Sequence, residues 1–129
     1  MRKRGFTIVE LMVVVAILGI LGAIAVPMFR GYITDAKVAE AKAVLHEIRL
    51  LQEQYYADRR TYLAAADTAA LEAGLPGFEP SARVKGNYNF KVEPDAGGTI
   101  ADSFIATAEP QHASLGGNLT LNHLNEQNW

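Results

Sequence analysis

The chain has 129 residues, half of them hydrophobic, with a formal net charge of −2 and no cysteine. That length allows one small domain plus an N-terminal segment. The lack of cysteine excludes disulfides, thiol catalysis and cysteine-held metal, and leaves the redox compartment open. Without the cations Arg2, Lys3 and Arg4 the charge falls from −2 to −5, so the bulk of the protein exerts no general attraction on nucleic acid.

The apolar run comes first. Leu11 to Phe29 is unbroken and uncharged, and Phe6 to Val9 extends it upstream of a single carboxylate, Glu10. Twenty-four helical residues reach about 36 Å, enough for a hydrocarbon layer of about 30 Å. Three cations precede the run and only Arg30 follows closely, which predicts a cytoplasmic N-terminus and export of the rest. A plain membrane anchor fits this pattern. So does a secretory signal cut after Ala25, with Ala23-Ile24-Ala25 as the small-x-small site, although the run is long for that purpose. A third reading has a basic leader, residues 1–5, ending at Gly5, and an apolar helix, residues 6–29, beginning at Phe6.

The stretch GFTIVELMVVVAILGILGAIAVP resembles the N-terminus of type IV pilins and of the related type II secretion pseudopilins. The resemblance implies cleavage between Gly5 and Phe6 by a prepilin peptidase of the inner membrane. It also implies N-methylation of Phe6 by the same enzyme. Partners follow from it as well: other copies and other pilins through the N-terminal helix, and the pilus assembly machinery. It implies no cofactor. The physics is compatible. A new amine at Phe6 would lie one helical turn from Glu10. A carboxylate inside a membrane helix costs on the order of 2.5–3.5 kcal/mol, and an amine from the same or a neighbouring subunit relieves that cost. Glu10 is therefore the candidate assembly residue. Gly19, Gly22 and Pro27 are expected to puncture the helix: glycine is a poor helix former, and Pro27 lacks the N–H that would reach Ala23. The resemblance implies that this stretch can lose helical structure when subunits leave the membrane for the filament; close packing of small residues between membrane helices is the other reading of the glycines.

Residues 30–129 form the stem and head. Val38, Ala41, Leu45, Ile48, Leu51 and Tyr55 recur at spacings of three and four, predicting an amphipathic continuation of the helix to about Ala57. Asp67 is placed to cap a short helix ended by Gly74 and Pro76. Alternation in NYNFKVE puts Tyr88, Phe90 and Val92 on one face of a strand. TIADSFIATAE, from Thr99 to Glu109, reads as a second strand and NLTLN as a third. The expected fold is α+β: a long N-terminal helix packed against an antiparallel sheet of three or four strands. QYYADRRTY and the terminal Trp129 also resemble pilins. Many pilins close a C-terminal loop with a disulfide, which this chain cannot make, so Trp129 is expected to anchor the end of the chain in the core, with an exposed contact between subunits as the other reading.

Chemistry is sparse elsewhere. His46, His112 and His123 lack paired-ligand spacing, and no nucleophile elbow, phosphate loop or dinucleotide fingerprint is present. The chain is read as a non-enzyme. Asp95 and Asp102 flank a glycine-rich turn, where a solvated turn is a plainer reading than calcium. The Trp-Gly pair of the calcium-binding loop in major pseudopilins is missing, which favours a pilin over a pseudopilin. Asn118-Leu119-Thr120 has the form of a glycosylation sequon. Arg59-Arg60 and Arg83/Lys85 are small basic spots, read as surface charge and not as a nucleic-acid site.

Overall fold

The computed structural model describes residues 5–129; residues 1–4 of the basic leader lie outside the described residues. Seven elements follow in order: α1 (Ile8–Arg59), α2 (Thr68–Gly74), α3 (Ala82–Asn87), β1 (Tyr88–Glu93), β2 (Ile105–Pro110), a 3-10 turn (Ala113–Leu115) and β3 (Leu119–Asn122). The chain divides into two units after Asp35.

In the first unit, α1 is long and apolar enough to cross a membrane, and its large side chains from Ile8 to Ile33 are exposed. α1 is helical through Gly19, Gly22 and Pro27. Pro27 removes one hydrogen bond, and helix already formed on both sides propagates at far lower cost than it nucleates. A Cβ at Gly19 or Gly22 would meet nothing within 4 Å, so neither glycine is needed for a close approach within this chain.

The second unit holds the core. Ala41, Leu45 and Ile48 are fully buried, as the three-and-four spacing requires. They share one cluster with Tyr88, Phe90 and Val92 of β1, Ala106 and Ala108 of β2, and Leu121 of β3. Helix α1 ends at Arg59; the next residue, Arg60, takes φ +58° while its N–H donates to the Tyr56 carbonyl at 2.8 Å. Asp67 caps α2, its Oδ1 accepting from Ala70 N at 2.7 Å. Helix α3 has no counterpart among the elements expected from the sequence. It is one and a half turns long, and its Ser81 cap accepts from Val84 N.

The sheet is an antiparallel meander in the order β1-β2-β3, with Phe90 opposite Ala108 and Ala106 opposite Leu121. The second strand begins at Ile105, six residues later than its expected start at Thr99. Residues 99–103 instead turn, with Asp102 N and Ser103 N both donating to the Thr99 carbonyl. Both sheet edges are covered, which removes the template for unwanted strand pairing. On the β1 side, Ala65 exchanges two backbone bonds with Val92, at 2.9 and 2.8 Å, and the Thr68 hydroxyl accepts from Phe90 N. On the β3 side, residues 126–128 fold back: Asn122 N donates to the Glu126 carbonyl at 3.0 Å, and Thr120 N to Asn128 Oδ1 at 2.9 Å.

Trp129 is not in the core. It is 37% exposed, edge-on to His46 with ring centroids 6.2 Å apart and with the Lys42 ammonium 5.4 Å from its ring centre. The chain end is held by Asn122 instead. Its side-chain Nδ2 donates to Glu126 Oε2 at 2.7 Å and Asp95 Oδ2 at 3.2 Å, and its Oδ1 accepts from Glu126 N at 2.8 Å. Hydrogen bonds from a nearly buried amide replace the packing anchor that the sequence suggested.

Candidate assembly site

The expected site residues gather at the start of α1. Gly5 and Phe6 precede the helix, both exposed, Phe6 at 87%. A bond outside regular structure has no internal backbone partners to surrender, so an enzyme can draw it into an extended conformation. Ala25, by contrast, lies within α1.

Glu10 occupies the first turn, where a carboxylate faces the unsatisfied amides of the helix start. Its Oε2 accepts from Thr7 N at 2.9 Å and from Thr7 Oγ1 at 2.8 Å. Thr7 Oγ1 in turn accepts from Glu10 N at 3.2 Å. Thr7 and Glu10 thus form a reciprocal capping box. Sequence reasoning missed Thr7, although T-x-x-E before an apolar run is the signal that would have found it. In this uncleaved chain Phe6 carries an ordinary peptide N–H, and the carboxylate is held by Thr7. Cleavage after Gly5 would add a cation one turn away.

The remaining candidates are scattered. His46 contacts Trp129, His112 precedes the 3-10 turn, and His123 Nδ1 stands 3.9 Å from Asp95 Oδ2. Asp95 and Asp102 do not converge: Asp102 accepts from the Thr99 hydroxyl at 2.8 Å, whereas Asp95 faces Asn122 and Ala96 N. Among the described residues no group of three His, Asp or Glu side chains is arranged to hold a metal. Arg83 pairs with Glu40, and Lys85 with Glu72 at 2.7 Å. The Arg59 guanidinium lies 4.8 Å from the Tyr55 ring centre, and Asn118 is exposed just before β3.

Residues 1–26 match the prokaryotic N-terminal methylation motif. Residues 27–120 match the family described as type IV minor pilin ComP, DNA uptake sequence receptor. The chain belongs to the type IV pilin family. This pilin is 38% identical over 97 residues to the type IV major pilin protein PilA of Myxococcus xanthus, covering 74% of this chain and 40% of that protein. It is 37% identical over 97 residues to the fimbrial protein EcpC of Eikenella corrodens, covering 75% and 58%. It is also 31% identical over 119 residues to a fimbrial protein of Neisseria meningitidis serogroup B, covering 92% and 65%. The chain therefore spans between two fifths and two thirds of the length of these relatives. No solved structure matches it. The methylation motif covers Gly5, Phe6, Thr7, Glu10, Gly19 and Gly22, and the second match begins at Pro27.

Proposed function

We propose that this pilin is a structural subunit of a type IV pilus. It enters the inner membrane as a precursor, is cleaved after Gly5 and methylated at Phe6, and then polymerises through its N-terminal helix into an extracellular filament. The observation that carries this reading is the methylation motif over residues 1–26, coinciding with an exposed Gly5-Phe6 bond just ahead of a capped apolar helix. Glu10 supplies the counter-charge for a Phe6 amine, that of an adjacent subunit in the filament. Gly19, Gly22 and Pro27 are the positions where α1 would loosen on leaving the bilayer, having fewest bonds and least bulk to lose. The prepilin peptidase and the assembly machinery are the partners this requires.

The matched family's description includes a DNA uptake sequence receptor. On this chain Arg83 and Lys85 are engaged by Glu40 and Glu72, which supports the structural role over capture of DNA. A secretion pseudopilin is the alternative within the wider family, and a domain released after Ala25 the alternative outside it. The helical setting of Ala25 disfavours the latter. Mass spectrometry of the mature N-terminus tests the proposal: methyl-Phe6 is expected, and a chain beginning at Val26 would overturn it.

A further inference from the structure

The two polar limits of the apolar segment are Glu10 and Arg30, twenty residues apart on a helix with no break between them. That separation is about 30 Å, the thickness of the hydrocarbon layer. The full run from Phe6 to Phe29 is longer by about 6 Å, so it admits two depths. One centres the bilayer between Ile17 and Leu18, drawing Glu10 into hydrocarbon. The other centres it at Ile20, leaving Glu10 at one headgroup layer and Arg30 at the other.

The far end of the run selects the second. Phe29 and Tyr32 are exposed at 65% and 66% and flank Arg30, and the three line an open, almost wholly apolar groove with Ala25, Val26 and Met28. Tyr32, an apolar ring with a polar tip, favours the membrane interface. A guanidinium pairs with phosphate through two parallel hydrogen bonds while its stem lies along acyl chain. At the near end, the charge of the Glu10 carboxylate is cheaper in a polar layer than in hydrocarbon.

We propose that Phe29, Arg30 and Tyr32 form a collar that binds the phosphate layer of the outward phospholipid leaflet. This collar holds the unassembled pilin at the depth where Glu10 lies in the opposite headgroup layer. The inference rests on the reading that the segment spans a bilayer. It changes when the carboxylate becomes costly: not while the monomer waits in the membrane, but when assembly lifts the helix outward and draws Glu10 into hydrocarbon. The amine of a neighbouring subunit is worth most at that moment.

The chain has no cysteine, so single cysteines can carry spin labels without background. The full precursor is reconstituted at low protein density in phosphatidylethanolamine–phosphatidylglycerol vesicles, with labels at Ala16, Ile20 or Ile24. Depth is read from collision with oxygen against a nickel chelate. The expected result is greatest depth at Ile20 and equal depths at Ala16 and Ile24. Ala16 deeper than Ile24 by about 7 Å overturns the collar in favour of the other depth. Replacing the collar by Arg30→Leu with Tyr32→Leu should sink the outer end, making Ile24 deeper than Ala16 by about 6 Å; unchanged depths overturn the collar. Free access of the nickel chelate to all three labels overturns the spanning reading together with the collar.

Discussion

The side-chain amide of Gln52 holds both backbone polar groups of Leu63. Its Nε2 donates to the Leu63 carbonyl at 2.8 Å and its Oε1 accepts from Leu63 N at 2.9 Å. Gln52 is fully buried on α1, and the pair fixes the chain where it reverses after the helix. Gln52→Ala leaves the partly buried N–H and C=O of Leu63 without partners, at a cost of up to about 1–3 kcal/mol each. The expected loss is about 2–3 kcal/mol in urea unfolding of a soluble 30–129 fragment. A midpoint unchanged from wild type would mean that water replaces the amide.

Trp129 should matter less than its size suggests. Its contact with Lys42 is worth on the order of 1 kcal/mol or less at an exposed site. Trp129→Ala is therefore expected to lower stability by about 1 kcal/mol, against about 3–5 kcal/mol for Phe90→Ala in the core. Equal losses from the two variants in the same urea titration would restore Trp129 as a core anchor.

Much of this architecture was legible in the sequence. The apolar run, the stem stripe through Ala41, Leu45 and Ile48, the Asp67 cap and the alternation of Tyr88, Phe90 and Val92 all follow from periodicity that burial enforces. What was not legible depends on partners distant in sequence. Gln52 reads as one more polar residue of a helix surface until Leu63 meets it. Residues 99–103 alternate like a strand, yet side-chain and backbone bonds to Thr99 turn them. Asn122 and Asn128 took over the role expected of Trp129 because hydrogen bonding along a sheet edge is invisible to hydropathy. Thr7 was legible in principle, since T-x-x-E ahead of an apolar run marks a capping box.

The head should lose stability at alkaline pH. Burial pushes the hydroxyl of Tyr88 up, and burial followed by the Glu53 carboxylate does the same to Tyr62. Hydrogen bonds to Glu109, then to Glu93, raise the Lys91 ammonium. All three shifts are upward. Their stabilisation is complete below the unfolded values near pH 10 and is lost as pH rises through the folded ones. The melting temperature of the 30–129 fragment should be level to about pH 9 and fall beyond pH 10. Tyr88→Phe should reduce that alkaline slope, and an identical slope would show that Tyr88 does not contribute.

Processing should depend on Gly5. The residue is exposed and precedes the helix, and a bulky side chain beside the scissile bond would obstruct the peptidase. Gly5→Leu protein should remain in the inner membrane at its full precursor mass, with Phe6 unmethylated. Maturation to the wild-type mass would place the cleavage site elsewhere.

Glu10 tests the assembly proposal most directly. It lies outside the head's core cluster, so head stability should not respond to its replacement. Glu10→Gln keeps the shape and one hydrogen bond to Thr7 but removes the charge; Glu10→Ala removes both; Glu10→Asp keeps a shorter charge. The decisive measurement counts filaments by electron microscopy in material sheared from cells expressing each variant alone, with the processed monomer quantified in the membrane. The account predicts processed monomers and few or no filaments for Glu10→Ala and Glu10→Gln, with Glu10→Asp intermediate. Normal filament numbers from Glu10→Ala would contradict it.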